Sequence, residues 1–180
     1  MEIMRVLVLA GMPGSGKEEF VLVAKSLGYD VVCMGDVVRA EAANRRVQDS
    51  DKGVGGFANS ERQAHGNDIW AKRCLPYINR KKTIIDGSRS LDELEVFRQA
   101  FGKDVRLVAI HAPQRERYQR LVQRGRRDAP KSWEEFLERE RRELSWGLGS
   151  LIAMADDMLV NEGSLEDFKM KAKGFLEGRG

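Results

Sequence analysis

Apolar residues in this chain fall into short runs separated by stretches of helical spacing. Val6-Leu7-Val8-Leu9-Ala10, Val31-Val32-Cys33-Met34, Thr83-Ile84-Ile85, Val105 to Ala112 and Met158-Leu159-Val160 show little polar alternation, the pattern of strands covered on both faces. Between them the apolar positions recur every three or four residues. Phe20 to Leu27 predicts a helix closed by Gly28, and another begins at Val37-Val38-Arg39. Ser60-x-x-Gln63, Ser90-x-x-Glu93 and Ser132-x-x-Glu135 have the form of capping boxes, opening helices that run to about Ile78, Phe101 and Trp146. Ser164-x-x-Asp167 begins the last helix, and one more follows Pro113 to about Arg124. Gln48 to Gly56 is polar and glycine-rich and reads as a loop. Strands alternate with helices, and right-handed crossovers then force a parallel sheet. The expected fold class is α/β, a three-layer sandwich around a central five-stranded parallel sheet, formed by a single domain over residues 1–180.

Such sheets bind ligands beyond the carboxyl ends of their strands. Those ends carry Gly11 to Glu18, Gly35-Asp36, Asp86-Gly87-Ser88-Arg89, His111 and Asn161. The first is the most informative. Gly11-Met12-Pro13-Gly14-Ser15-Gly16-Lys17-Glu18 lies between an apolar strand and a helix. Backbone N–H groups of such a turn converge on one concavity, where the following helix adds its unpaired N–H groups and the positive end of its dipole. Gly14 and Gly16 let the backbone wrap an anion, and Lys17 supplies a mobile charge for the outer phosphates. The usual loop continues Lys-Ser/Thr, whose hydroxyl binds Mg²⁺. Here Glu18 follows, either as a hard oxygen ligand or as a first-turn carboxylate favoured by the helix dipole. The expectation is that Glu18 points towards the metal and acts through water. Asp86, ending an apolar strand, either orders Mg²⁺ through water or caps the next turn.

Composition narrows the class. A hydrophobic content of 42% with 33% charged residues reads as soluble and globular. No apolar run has the length of a membrane span, and the N-terminus leads straight into the first strand without room for a signal peptide. Cys33 and Cys74 are the only cysteines, too few for a disulfide framework, so the expected compartment is the cytoplasm. A net charge of +3 is no argument for nucleic acid by itself, but the arginines bunch between Arg115 and Arg142.

These motifs resemble those of the nucleoside monophosphate kinases, adenylate kinase in particular. The loop Gly-Met-Pro-Gly-Ser-Gly-Lys is similar to the adenylate kinase Gly-x-Pro-Gly-Ser-Gly-Lys. Met34-Gly35-Asp36-Val37-Val38-Arg39 resembles Thr-Gly-Asp-x-x-Arg, whose arginine grips the monophosphate acceptor. Ile85-Asp86-Gly87-Ser88-Arg89 resembles Asp-Gly-x-Pro-Arg without its proline, and Arg120-x-x-x-Arg124 resembles the Arg-x-x-x-Arg that stacks on the ATP base and reaches phosphate. Val160-Asn161-Glu162-Gly163-Ser164 is similar to a segment near the donor adenine in dephospho-coenzyme A kinase. A still closer likeness is to the archaeal proteins called adenylate kinase-related. Two departures stand out: Glu18 in place of Ser/Thr, and the absence of room for a long lid between Arg124 and Ser132.

The resemblance implies a P-loop NTPase fold with a short arginine lid over about 124–142 and an acceptor-binding helical region over about 35–80. It implies ATP with Mg²⁺ bound through Gly11 to Glu18, Arg120 and Asn161, and catalysis by Lys17, Arg89, Arg124 and Arg126. Guanidinium groups such as these, with Arg127 beside them, neutralise transferring phosphoryl oxygens. The acceptor, AMP in preference, is expected at Gly35, Asp36, Arg39, Arg62, Asp86, Gly87 and Arg89. A hydroxyl acceptor, as in dephospho-coenzyme A kinase, would require a general base, for which Asp36 is best placed. The competing class is a nucleotide-binding ATPase switch whose partner is RNA, a ribosome or another protein. Asp68 is a further candidate on the acceptor-side helix, whereas His65, His111, Trp133 and Trp146 read as structural. Arg139 and Arg142 are explained by i,i+4 pairs with Glu135, Glu138 and Glu143 on one helix surface.

Overall fold

The computed structural model describes residues 5–48, 51–79, 81–126 and 129–178. Five strands, β1 (Arg5–Ala10), β2 (Asp30–Cys33), β3 (Lys82–Asp86), β4 (Val105–His111) and β5 (Asp157–Val160), form one sheet in the order β2-β3-β1-β4-β5. Every pairing is parallel, with Leu7 opposite Ile84 on one side of β1 and opposite Arg106 on the other. The period-two alternation of β1 divides the core. Val6, Val8 and Ala10 face one apolar layer with Met34, Ile85, Leu94, Phe97 and Leu107, while Leu7 and Leu9 face a second with Phe20, Ala24, Ile84, Ile110 and Phe168. A strand buried on both faces must be apolar at successive positions, which is the run seen in the sequence.

The second layer is covered by α1 (Lys17–Ser26) and α9 (Leu165–Leu176). The first is covered by α2 (Met34–Asn44), α3 (Asp51–His65), α4 (Ile69–Cys74), α5 (Leu91–Phe101) and α8 (Leu148–Ala153). At one end stand α6 (Gln114–Arg124) and α7 (Trp133–Ser145), joined through Tyr118, whose ring centroid lies 5.2 Å from that of Trp133 and 5.4 Å from that of Phe136. No helix among the described residues is long and apolar enough to cross a membrane.

Three helix starts occur where capping residues predict them. The hydroxyls of Ser90, Ser132 and Ser164 accept from the backbone N–H three residues on, and Asp167 returns a bond to the Ser164 N–H. Gly28 ends the first helix region at a φ of 80°.

The region between β2 and β3 differs from expectation. Residues 51–56 are helical, the opening turns of α3, because Val54, Phe57 and Ala58 at i, i+3 and i+4 pack on the core and outweigh three glycines. Ser60 therefore lies mid-helix, its hydroxyl donating to the Phe57 carbonyl at 2.8 Å, and caps nothing. The helix expected to reach Ile78 breaks at Gly66, at a φ of 101°, and resumes as α4. The Trp70 indole N–H donates to the Ala58 carbonyl at 3.1 Å and fastens the two segments together. α2 starts at Met34, so Gly35 and Asp36 belong to its first turn and not to a preceding loop. α8 was not expected from the sequence; it follows Gly147, at a φ of 100°.

Candidate active site

The loop between β1 and α1 is shaped by close backbone approaches. A Cβ on Gly11 would stand 2.6 Å from the Ile110 carbonyl oxygen, one on Gly14 2.6 Å from that of Arg117, and one on Gly16 2.3 Å from Asn161 Nδ2. Gly14 and Gly16 also hold φ values of 81° and 110°, in the left-handed region. Asn161, at the end of β5, donates from Nδ2 to the Ser15 carbonyl at 2.9 Å, while Arg117 donates to the carbonyls of Ala112 and Pro13 at 2.9 and 3.3 Å. No side chain caps α1, so its first N–H groups face the anion site. Lys17 Nζ donates to the Gly11 carbonyl at 2.6 Å. Burial pushes the Lys17 ammonium pKa down, opposed by Asp86 and Glu143.

A cavity of about 480 Å³ opens over this loop, and a smaller one of about 120 Å³ lies beside it. Lys17 and Arg139 line both. The larger also touches Glu18, Cys33, Arg39, Asp86, Arg124 and Arg126; the smaller touches Gly87, Ser88, Arg89 and Glu143. Among the described lining residues six are cationic (Lys17, Arg39, Arg89, Arg124, Arg126, Arg139) and three acidic (Glu18, Asp86, Glu143). That excess matches a polyanion.

Arg89 is tightly placed. Its Nε donates to Glu143 Oε2 at 2.8 Å, its Nη1 to the Gly87 carbonyl at 3.1 Å, and its guanidinium lies 5.4 Å from the Trp146 ring centroid. Burial alone would raise the Glu143 carboxyl, but Arg89 beside it, helped by Lys17, holds it below the usual carboxylate range. Beneath the same loop, fully buried Glu93 accepts from the Ser88 hydroxyl at 3.1 Å and the Arg89 N–H at 2.6 Å.

Several expected site residues take other positions. Arg62 is buried and lines neither cavity; it pairs with Glu93 at 3.5 Å and lies over Trp146 at 5.3 Å, so its charge serves the core beneath the site. Arg120 donates from Nη2 to Glu116 and to the Asn161 carbonyl, both at 3.0 Å, which turns it onto the tail loop. Met12 packs against the core, and Asp36 is exposed and paired with Arg39. Glu18 lines the larger cavity, where Arg126 grips its carboxylate at 2.7 and 2.9 Å and Arg124 stands at 3.2 Å. With two guanidinium groups so near, Coulomb attraction turns this carboxylate towards Arg124 and Arg126. Arg127 lies outside the described residues.

Sequence reasoning missed Arg139 as a cavity residue, because local carboxylates explained it. It missed Glu143 and Glu93, and also the buried pair of Arg117 with Glu140, whose second contact is 3.1 Å. Trp146 proves more than packing, since Arg62, Arg89 and Arg142 all lie over its ring.

For Mg²⁺ the fitting donor is Asp86, whose Oδ1 is buried without a hydrogen-bond partner among the described residues while the residue lines the larger cavity. No cluster of three or more His, Cys, Asp or Glu suited to a metal occurs among them. A single carboxylate suits Mg²⁺, which keeps its waters and binds largely through phosphate oxygens.

Residues 10–137 match the family profile described as an AAA domain. The UPF0200 protein TV0279 of Thermoplasma volcanium is 44% identical over 172 residues, covering 95% of this chain and 96% of its own length. A UPF0200 protein of Hyperthermus butylicus is 44% identical over 174 residues, covering 95% and 92%. Among solved structures, TT1252 from Thermus thermophilus aligns with a TM-score of 0.65 at 19% identity over 98% of each chain. Shikimate kinase from Acinetobacter baumannii aligns with a TM-score of 0.61 at 14% identity, over 98% of this chain and 95% of that one. The sheet order, the loop closed around an anion site and these likenesses agree: this is a P-loop kinase-like fold, and the chain belongs to the UPF0200 family.

Proposed function

We propose that this protein transfers the γ-phosphoryl group of ATP to the phosphate of AMP. The observation that carries this reading is the pair of cavities sharing Lys17 and Arg139 as a common wall. A donor triphosphate in the larger cavity and an acceptor phosphate, held by Arg89 from the smaller cavity and by Arg39 from the larger, meet at that wall. An ionised oxygen of the acceptor phosphate forms the new bond to the γ-phosphorus. The bond from that phosphorus to the bridging oxygen breaks, and its electron pair leaves on ADP. Both products are ADP, and no general base is needed. Lys17, Arg89, Arg124 and Arg126 neutralise charge on the transferring oxygens, and the lid arginines exclude water. Mg²⁺, with Asp86 as its protein partner through water, supplies further charge neutralisation when bound.

A second reading has its own support. The unpartnered Asp86 Oδ1 is placed to accept the proton of a hydroxyl acceptor, as a dephospho-coenzyme A kinase-like reaction requires; Asp36 is less suited, being exposed and paired with Arg39. A switch acting on RNA or a ribosome has less support, because Arg117, Arg120 and Arg142 of the basic run each engage an internal partner.

Product analysis separates these readings. Incubation with ATP, Mg²⁺ and AMP should yield ADP in twofold excess over ATP consumed, with little phosphate release. ADP formation with dephospho-coenzyme A but not AMP would favour the second reading. Acceptor-independent phosphate release stimulated by RNA would overturn both.

A further inference from the structure

We infer that Glu143, with Trp146, is a positioning seat for Arg89, through which α7 sets the acceptor side of the site. The inference rests on the reading of Arg89 as an acceptor-phosphate contact. Four observations carry it. Arg89 is drawn to α7 across 54 residues of sequence by the 2.8 Å bond from Nε to Glu143 Oε2. Its guanidinium plane is backed by the Trp146 ring at 5.4 Å, one residue beyond the end of the same helix. The opposite constraint is the Gly87 carbonyl at 3.1 Å, which leaves few rotamers open. Arg89 and Glu143 both line the small cavity that also touches Lys17.

An arginine side chain carries a large rotamer entropy, lost whenever it is fixed on a ligand. A carboxylate that has already fixed Nε leaves the remaining N–H donors to project into the cavity in one orientation. An acceptor phosphate then meets an arranged donor set. Glu143 touches no substrate itself; it acts through Arg89.

Glu140, three residues earlier on α7, holds Arg117, which in turn donates to Pro13 of the anion loop. One helix thus braces the donor loop through Glu140 and the acceptor loop through Glu143, and Arg139 stands between the two cavities on the same helix. α7 therefore sets the spacing of donor and acceptor.

The test compares Glu143→Gln and Glu143→Asp with the wild-type full-length protein. Glu143→Asp keeps the charge and shortens its reach by one methylene, so it remains informative if Glu143→Gln folds poorly. Glu143→Gln should raise the KM for AMP or lower kcat by about tenfold to a hundredfold, the range of a lost charge-assisted contact. The Kd for ATP should stay within about twofold, and Glu143→Asp should fall between. The second readout needs no turnover. The Arg89 Nε–H resonance, identified by its loss in Arg89→Lys, should be slow to exchange in wild type and lost or fast in Glu143→Gln. Trp146→Leu should weaken it partially. An unchanged Arg89 signal in Glu143→Gln, or equal losses for ATP and AMP, overturns the seat. Failure of the wild type to phosphorylate AMP overturns the proposed function instead, and leaves the resonance to decide the seat alone.

Discussion

At the scale of single residues, burial opposes the charge of both the lysine and the carboxylate, and only the carboxylate has a partner that outweighs it. Lys17 is a buried cation whose pKa is pushed down, so its charged form is less favourable in the folded protein than in the unfolded chain. Lys17→Ala should therefore leave the melting temperature of the ligand-free protein equal or higher, while abolishing ATP turnover. Calorimetry on the apo protein checks this, and a collapse in Tm would show that the lysine is a structural strut. Glu143 is the reverse case. Its pKa is held below the ordinary range chiefly because Arg89 outweighs the effect of burial. A depressed carboxyl contributes stability that is present above its unfolded pKa, about 4.3, and is lost as pH falls through the lower folded value. Wild type should accordingly lose Tm more steeply than Glu143→Gln below about pH 4.3. Parallel acid limbs for the two proteins would count against an ionised Glu143.

At the scale of elements, the start of α1 meets the end of α6 through Glu18, which pairs with Arg124 and Arg126. Both partners are partly exposed, Glu18 at 42% and Arg126 at 57% of the side chain. Exposed pairs contribute about 0.2–1 kcal/mol each, so this contact occupies Arg124 and Arg126 without locking them. The triphosphate of ATP, with more charge than one carboxylate, should displace it. Glu18→Ser removes that competitor and restores the hydroxyl of the commoner loop. ATP should then bind about twofold to fivefold more tightly, and affinity should fall more steeply with salt because the carboxylate that offsets part of the local positive charge is gone. Titration calorimetry at low and high salt reads both effects. Activity lost as completely as in Lys17→Ala would make Glu18 an essential participant.

For the whole molecule, what could be read from sequence was what neighbours in sequence decide. The anion loop, the runs of β1 and β4 and the caps at Ser90, Ser132 and Ser164 are local devices, and each stands where it was expected. The opening turns of α3 were missed because three glycines outweighed the spacing of Val54, Phe57 and Ala58, which only tertiary packing rewards. Glu143 and Arg139 were misread because i,i+4 partners lay ready on α7, whereas the bond that forms spans 54 residues. The same joining of distant elements makes ligand linkage informative. A ligand that binds only the folded protein, present at a hundred times its Kd, adds about 2.7 kcal/mol of stability. In a chain of this size that is a rise of roughly 5–10 °C in Tm. ATP and AMP added separately should each produce a rise of this order. Because Lys17 and Arg139 line both cavities, the two ligands should not act independently, and their joint shift should differ from the sum. Arg89→Ala should abolish the AMP shift and retain most of the ATP shift, while Lys17→Ala should reduce both. Loss of both shifts in Arg89→Ala would mean that donor and acceptor do not occupy separate cavities.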